Sequence, residues 1–253
     1  MTRTRFRTAL LGLIAAPLAL GLAACGDKDE ATPSAASGEP IAKIAAPAGQ
    51  AWQDMIVKTP EGGYRMGNPD APIKLIEYGA LSCSHCAEFA KESFEEIRSD
   101  YVASGRVSYE LRYFMLNALD VPASLLAACG TTEAVIPLSE QFWAWQPTMF
   151  QTFQSKSEAE MNAINALPRE KQIAAIAEAG GMTEFFASRG IARDQAAACL
   201  ADTTKAKALA DQTQKATDEF NITGTPSFII NGSSIGSMGW PEVEAKLQQA
   251  GAR

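Results

Sequence analysis

The spacing of hydrophobic residues along the chain predicts alternating strands and helices. The short apolar run Ile73–Tyr78 has polar neighbours and is typical of a buried strand. Residues 83–101 carry apolar side chains at helical spacing, and Val107–Phe114 alternates with a period of two, which indicates a second strand. The first half of the chain is therefore expected to fold as strand, helix, strand.

The second half begins with a long helical stretch and returns to strands near its end. Residues 117–219 are rich in Ala, Gln and Glu at helical spacing and are divided by Pro and Gly. Ser227–Ile230 leads into Asn231-Gly232, which favours a tight hairpin, and Trp240-Pro241 opens a last helix. We therefore predict one α/β domain over residues 51–253, with an all-helical insertion at about 117–219.

The N-terminus has the pattern of a signal peptide. Three arginines, Arg3, Arg5 and Arg7, precede the apolar run Ala9–Ala24. This run is shorter than the roughly 20 residues that a membrane-spanning helix needs. We expect residues 1–24 to be removed, and an uncleaved anchor is the alternative.

The end of this apolar run, Leu22-Ala23-Ala24-Cys25, resembles the bacterial lipobox. The resemblance implies a lipid on Cys25 and a location on the periplasmic side of a bacterial membrane. Gly26, where an aspartate would favour the inner membrane, favours the outer one. Ordinary cleavage near Ala24 is the alternative. Residues 26–50 are polar and rich in Ala, Pro and Gly, so we expect a flexible tether reaching about 27 Å.

Composition restricts the partners. Loss of the three N-terminal arginines takes the net charge from −7 to −10. So acidic a surface argues against binding to nucleic acid and against broad electrostatic attachment to anionic lipid.

Two cysteines at the predicted start of a helix form the candidate reactive site. In Cys83-Ser84-His85-Cys86, the free N–H groups and positive end of the helix favour a thiolate at the first cysteine. His85, the one histidine of the chain, adds a donor and a potential positive charge between the thiols. We therefore expect Cys83 to be the exposed nucleophile and Cys86 the buried resolving thiol of a redox disulfide.

The motif has three alternative uses. The pair could be a structural disulfide, although cysteines at this spacing at a helix start seldom serve that purpose. A zinc site needs two more ligands, and a haem attachment motif needs a histidine where Ala87 stands. We expect redox chemistry that requires neither a metal nor a cofactor.

Two segments make a family resemblance visible. Glu77–Cys86 and Gly224–Gly232, with the helical stretch between them, resemble the DsbA-like branch of the thioredoxin superfamily. The resemblance runs from about Gly63 to Leu247 and implies a thioredoxin fold. Ser84 departs from that pattern, since the best-known DsbA enzymes have proline there.

The resemblance implies roles for three further residues. Pro226 would be a cis-proline beside the cysteines, where the neighbouring backbone pairs with a bound peptide; a trans edge-strand proline is the alternative. Thr225 stands where those DsbA enzymes have valine and is also met in isomerases, so pure oxidase activity is in question. Glu77 matches a buried acid that relays a proton to Cys86, or else it is a half-exposed strand residue.

Cys129 and Cys199 both fall in the helical stretch. Some DsbA-like relatives have a second, structural disulfide in this region, and the resemblance implies the same pairing here. Two buried free thiols are the alternative.

The resulting hypothesis is a monomeric thiol–disulfide oxidoreductase that forms disulfides in exported, cysteine-containing proteins. By analogy, a DsbB-like membrane protein would reoxidise it. One alternative is an isomerase or reductase that a membrane donor keeps reduced. Another, from a different class, is a peptide-binding chaperone module that uses the cis-proline groove alone.

Overall fold

The computed structural model describes residues 38–253. Within this range six strands form one mixed sheet in the order β1-β2-β4-β3-β5-β6. The strands are β1 (Ile56–Lys58), β2 (Tyr64–Gly67), β3 (Ile73–Gly79), β4 (Val107–Tyr113), β5 (Ser227–Ile230) and β6 (Ser233–Gly236). The helices are α1 (Ser84–Glu96), α2 (Asp120–Ala127), α3 (Val135–Gln154), α4 (Glu158–Asn165), α5 (Arg169–Ala179), α6 (Met182–Ala187), α7 (Arg193–Leu200), α8 (Thr203–Phe220) and α9 (Trp240–Gln249).

The central strands β3 and β4 are parallel, and α1 connects them. Their positions confirm the predicted strand, helix, strand order. The period-two pattern of β4, however, does not separate a buried face from an exposed one, because all seven residues are buried. Two charged residues on this strand are accommodated because Arg112 Nε donates to Glu110 Oε1 at 2.7 Å.

The predicted helix after β3 is confirmed in length, but its type changes near the end. The α-helical part stops at Glu96, and Ile97–Val102 forms a π-helical turn before the chain enters β4. The inward face of α1 carries four buried residues, Cys86, Phe89, Ala90 and Ser93. Phe89 packs on Phe228 of β5 with ring centroids 4.6 Å apart, which fixes α1 against the sheet beside the cis-proline strand.

The predicted all-helical insertion is confirmed and consists of α2 to α8. The C-terminal hairpin is also as predicted. Asn231 and Gly232 have φ values of 49° and 81°, the left-handed pair that a two-residue hairpin turn requires. Asn231 also binds the adjacent strand β3, since its Oδ1 accepts a hydrogen bond from Lys74 N at 2.8 Å.

The strands β1 and β2 were not predicted. They have three and four residues, too few for an alternating pattern to show. Both pair antiparallel, β1 with β2 and β2 with β4, so they extend the sheet on the side away from the hairpin.

The segment 38–50 corrects the prediction of a free tether up to residue 50. Its backbone N–H groups bond to the domain, Gly38 to Gln249 O at 2.8 Å and Ile44 to Ser104 O at 2.9 Å. Trp52 Nε1 donates to Ile44 O at 2.8 Å. The signal peptide 1–24, Cys25 and the tether up to residue 37 lie outside the described residues. In the described part of the chain, no helix has both the length and the apolar character to cross a bilayer.

Candidate active site

The turn after β3 places Cys83 at the N-terminus of α1. Cys83 is the N-cap residue of the helix, with extended backbone angles, and its N–H donates to Ala80 O at 3.1 Å. The Cys86 N–H donates to Cys83 Sγ at 3.3 Å. The thiol also lies 3.2 Å from Thr225 O, so the two sequence motifs meet at this sulfur atom.

The two thiols are free, and their surroundings separate their acidities. The Cys86 thiol donates a hydrogen bond to Cys83, and with help from the N–H groups of Cys86 and His85 it lowers the pKa of Cys83 to about 5. Burial raises the pKa of Cys86 well above its ordinary value. Cys86 is completely buried, and Cys83 is only 8% exposed, less than the sequence suggested. Cys83 is therefore the thiol suited to act as thiolate.

A groove opens beside this sulfur atom. The Thr225–Pro226 peptide bond is cis, as the resemblance implied, and Pro226 forms part of the groove wall. The groove has a volume of about 370 Å³. It is lined by His85, Glu88, Phe89, Glu92, Pro226, Ser237, Met238 and Gly239. Apolar side chains and carboxylates thus line this groove.

Glu77 is a buried acid and not a half-exposed strand residue. Its side chain is 1% exposed, and Tyr109 OH donates to its Oε2 at 2.7 Å. Within the described residues its Oε1 has no hydrogen-bond partner. Burial raises the pKa of Glu77 to about 8, with a smaller contribution from Cys83. The carboxyl is therefore mainly protonated at neutral pH.

His85 does not lie between the two thiols. Its side chain is 80% exposed and places Nδ1 3.7 Å from Glu88 Oε2. Its contribution to Cys83 comes from its backbone N–H. The expected donor is thus present, but it belongs to the helix N-terminus and not to the imidazole ring.

Polar side chains of the helical insertion hold the turn before Cys83, and sequence reasoning missed them. Trp143 Nε1 donates to Ala80 O at 3.0 Å, and Gln146 Nε2 donates to Leu81 O and Cys83 O at 2.8 and 3.0 Å. Asp120 Oδ1 accepts from Ser82 N at 2.8 Å. All three side chains are buried, and nothing in their sequence spacing connects them to the cysteines.

Cys129 and Cys199 form a disulfide in the structure, with Cα atoms 5.9 Å apart. Cys129 follows the end of α2, and Cys199 lies in α7. The bond therefore joins two parts of the helical insertion, and it excludes the alternative of two free thiols.

Comparisons with known proteins agree with this fold. A family model described as Thioredoxin matches residues 59–249. The protein-disulfide isomerase from Novosphingobium aromaticivorans has a TM-score of 0.69 and 29% identity, over 74% of this chain and 97% of that one. Wolbachia pipientis alpha-DsbA1 has a TM-score of 0.56 and 20% identity, over 74% of this chain and 91% of that one.

One relative by sequence is a protein of Rickettsia bellii that is named a protein-disulfide oxidoreductase. It is 24% identical over 194 residues, which are 76% of this chain and 66% of the relative, slightly less than two thirds of its length. A sheet with a dithiol at a helix N-terminus and a cis-proline beside it defines a thioredoxin-fold dithiol protein. The chain belongs to the thioredoxin family. The relatives it resembles are named protein-disulfide oxidoreductase and protein-disulfide isomerase.

Proposed function

We propose that this protein forms disulfides in exported proteins, with Cys83 as the attacked sulfur atom. A substrate thiolate attacks Cys83 Sγ of the Cys83–Cys86 disulfide, the S–S bond breaks, and Cys86 leaves with the electron pair. A second substrate thiolate then attacks the mixed disulfide at the substrate sulfur atom and releases Cys83 as thiolate. The substrate loses two electrons and the enzyme gains them.

The observation that carries this proposal is the contrast between the two thiols. Cys83 caps α1, and its pKa is about 5, whereas the pKa of fully buried Cys86 is raised. A stabilised Cys83 thiolate favours the dithiol form of the enzyme over its disulfide. The Cys83–Cys86 disulfide should therefore be readily reduced by substrate thiols, as an oxidase requires.

Glu77 is suited to supply the proton that Cys86 needs. A buried thiolate at Cys86 is unfavourable, so Cys86 leaves the disulfide more easily when it receives a proton as it gains the negative charge. The negative charge of Glu77 adds to the effect of burial and raises the pKa of Cys86, which indicates that the two groups are close enough to interact. Protonated Glu77 would act as the general acid for this step and as the base for its reverse.

Turnover requires removal of two electrons from the dithiol form. We propose a DsbB-like membrane protein as the oxidant and a lipid on Cys25 as the anchor that attaches the domain to a membrane surface. A relative named Disulfide bond formation protein D, from Bacillus subtilis, is 27% identical over 86 residues, 34% of this chain and 37% of the relative. The periplasmic side of the outer membrane is the proposed location.

Isomerase activity is the second candidate. The solved relative from Novosphingobium aromaticivorans is named a protein-disulfide isomerase, and Thr225 is the residue type met in isomerases at this position. An isomerase would work in the dithiol form and would reshuffle substrate disulfides.

The redox potential of the Cys83–Cys86 pair against glutathione tests the direction. A potential near that of disulfide-forming enzymes is expected, and one as reducing as roughly −270 mV, the value of thioredoxin, would contradict the oxidase role.

Refolding of scrambled ribonuclease, with sedimentation to report the oligomeric state, tests the isomerase. Strong reshuffling by an oligomer would favour it over the proposed monomeric oxidase.

Trapping in cells tests the roles of the two cysteines. Cys86→Ala should accumulate mixed disulfides with exported proteins, visible as bands that dithiothreitol removes, because it cannot release its partner by closing the internal disulfide. Cys83→Ala should trap none. Adducts formed through Cys86, with none through Cys83, would reverse the assignment. A Cys83→Ser strain with wild-type export phenotypes would favour the chaperone module.

A further inference from the structure

Gln146 of α3 is a buried side chain that contacts the active-site turn directly. It is 2% exposed, and its Nε2 donates one hydrogen bond to Leu81 O and another to Cys83 O. Both protons of the amide are thus used on carbonyl groups of the segment that positions the nucleophile. Gln146 lies 63 residues from Cys83 in sequence, so the helical insertion brings it to this place.

The carbonyl of Cys83 is a sensitive position for the nucleophile. It accepts the Ala87 N–H at 3.2 Å in the first turn of α1, while the side chain of the same residue accepts the Cys86 N–H. Rotation of the Cys83 backbone would therefore move Sγ relative to the helix N–H groups. The Gln146 bond to this carbonyl opposes such a rotation, and the bond to Leu81 O fixes the preceding turn.

We propose that Gln146 is a positioning residue for the Cys83 nucleophile. Its amide holds the backbone of Cys83 so that Sγ stays at the N–H groups at the start of α1. It touches no reacting atom and acts through the backbone of Leu81 and Cys83. The helical insertion thereby takes part in setting the acidity of the thiol and the redox equilibrium of the pair. The proposal rests on Cys83 being the attacked sulfur atom of the proposed function.

The test replaces the amide by a side chain of similar shape without a donor, Gln146→Met. Absorbance of the thiolate near 240 nm, followed against pH in the reduced protein, measures the pKa of Cys83. We expect it to rise from about 5 by roughly one unit, the effect of weakening one hydrogen bond to a thiolate. The glutathione equilibrium at pH 7 should move about tenfold toward the disulfide, which is about 30 mV.

A merely structural role would not produce this pH dependence. The shift in the glutathione equilibrium should disappear below about pH 4, where Cys83 is a thiol in both proteins. The substitution leaves the other ionisable groups near the site in place. These are His85, Cys86, Glu88 and Glu92 on α1, Glu77 on β3, Asp120 on α2 and Glu140 on α3.

Gln172 of α5 offers a matched control. Its Nε2 also donates to two backbone carbonyls, Asn165 O at 3.0 Å and Leu167 O at 2.9 Å, in the α4–α5 connection. Gln172→Met should leave the pKa of Cys83 and the glutathione equilibrium unchanged. An equal change in both variants would indicate a general loss of stability and would overturn the proposal.

A second variant, Gln146→Leu, also lacks the donor, introduces no charge, and serves if the methionine variant fails to fold. Without a donor for the two carbonyls, the pKa of Cys83 should again rise. A folded Gln146 variant with the wild-type pKa of Cys83 would overturn the assignment. In Cys83→Ala the absorbance change near pH 5 must vanish. If it persists, the assignment of the nucleophile in the proposed function fails, independently of Gln146.

Discussion

Replacing Glu77 by glutamine should make the stability of the protein less dependent on pH. The carboxyl is buried, and its pKa is raised from an ordinary 4.5 to about 8. Between these values the folded protein holds a proton that the unfolded chain has released. Stability is therefore full below about pH 4.5, falls as the pH rises, and levels off once the folded group ionises near pH 8.

The magnitude follows from the size of this interval. Each pH unit between the two values corresponds to about 1.4 kcal/mol of unfolding free energy. Wild type should thus lose about 3 kcal/mol between pH 4 and pH 7 through this one group, and about 5 kcal/mol by pH 9. Glutamine resembles the protonated acid and does not titrate, so Glu77→Gln should not show this loss.

Urea denaturation of the oxidised proteins at pH 4, 7 and 9 measures the effect. The informative quantity is the change in the variant-minus-wild-type difference with pH, because any fixed cost of the buried amide cancels. Tyr109→Phe is the companion variant. It removes the hydrogen bond that lowers the pKa of Glu77, so the stability loss should extend to higher pH. A difference between Glu77→Gln and wild type that is the same at all three pH values would refute the reasoning.

Three further predictions concern the thiols and the N-terminal segment. In Cys86→Ala, the pKa of Cys83 should rise from about 5 because the donating thiol is lost; an unchanged thiolate titration at 240 nm would contradict this. Replacing Cys129 and Cys199 by alanine opens a loop with a sequence separation of 70 and should lower the unfolding free energy by about 4 kcal/mol in urea, with mixed-disulfide trapping by Cys86→Ala unchanged. Gly105→Ala should release residues 38–50 to proteases, since its new Cβ would overlap Ile44 O. The control Gly181→Ala has a similar φ of 73° but nearest contacts of 3.8 Å, and equal protease sensitivity of both variants would argue against the overlap.

The reactive motif could be predicted because its chemistry is local. Cys83 and Cys86 lie three positions apart at a helix start, and the helix N–H groups act on whichever residue caps them. The meeting of Pro226 with Cys83 came from a family resemblance, since nothing in the spacing of the two motifs brings them together. The burial of Glu77 stayed undecided because only the end of β3, from Glu77 to Gly79, is buried on both faces, and there a strand pattern does not tell the faces apart.

By itself the sequence determined the strand, helix, strand order around the cysteines, the helical insertion, the hairpin and the cysteine motif, all of which depend on residues close together in the chain. Tertiary structure alone decided which polar side chains support the motif. Gln146 and Asp120 reach it through long-range packing of the insertion. It also decided that residues 38–50 join the domain, because backbone N–H and C=O groups make those bonds whatever the side chains are. A polar composition predicts a tether there, and only the folded domain, whose carbonyl groups accept these bonds, shows otherwise.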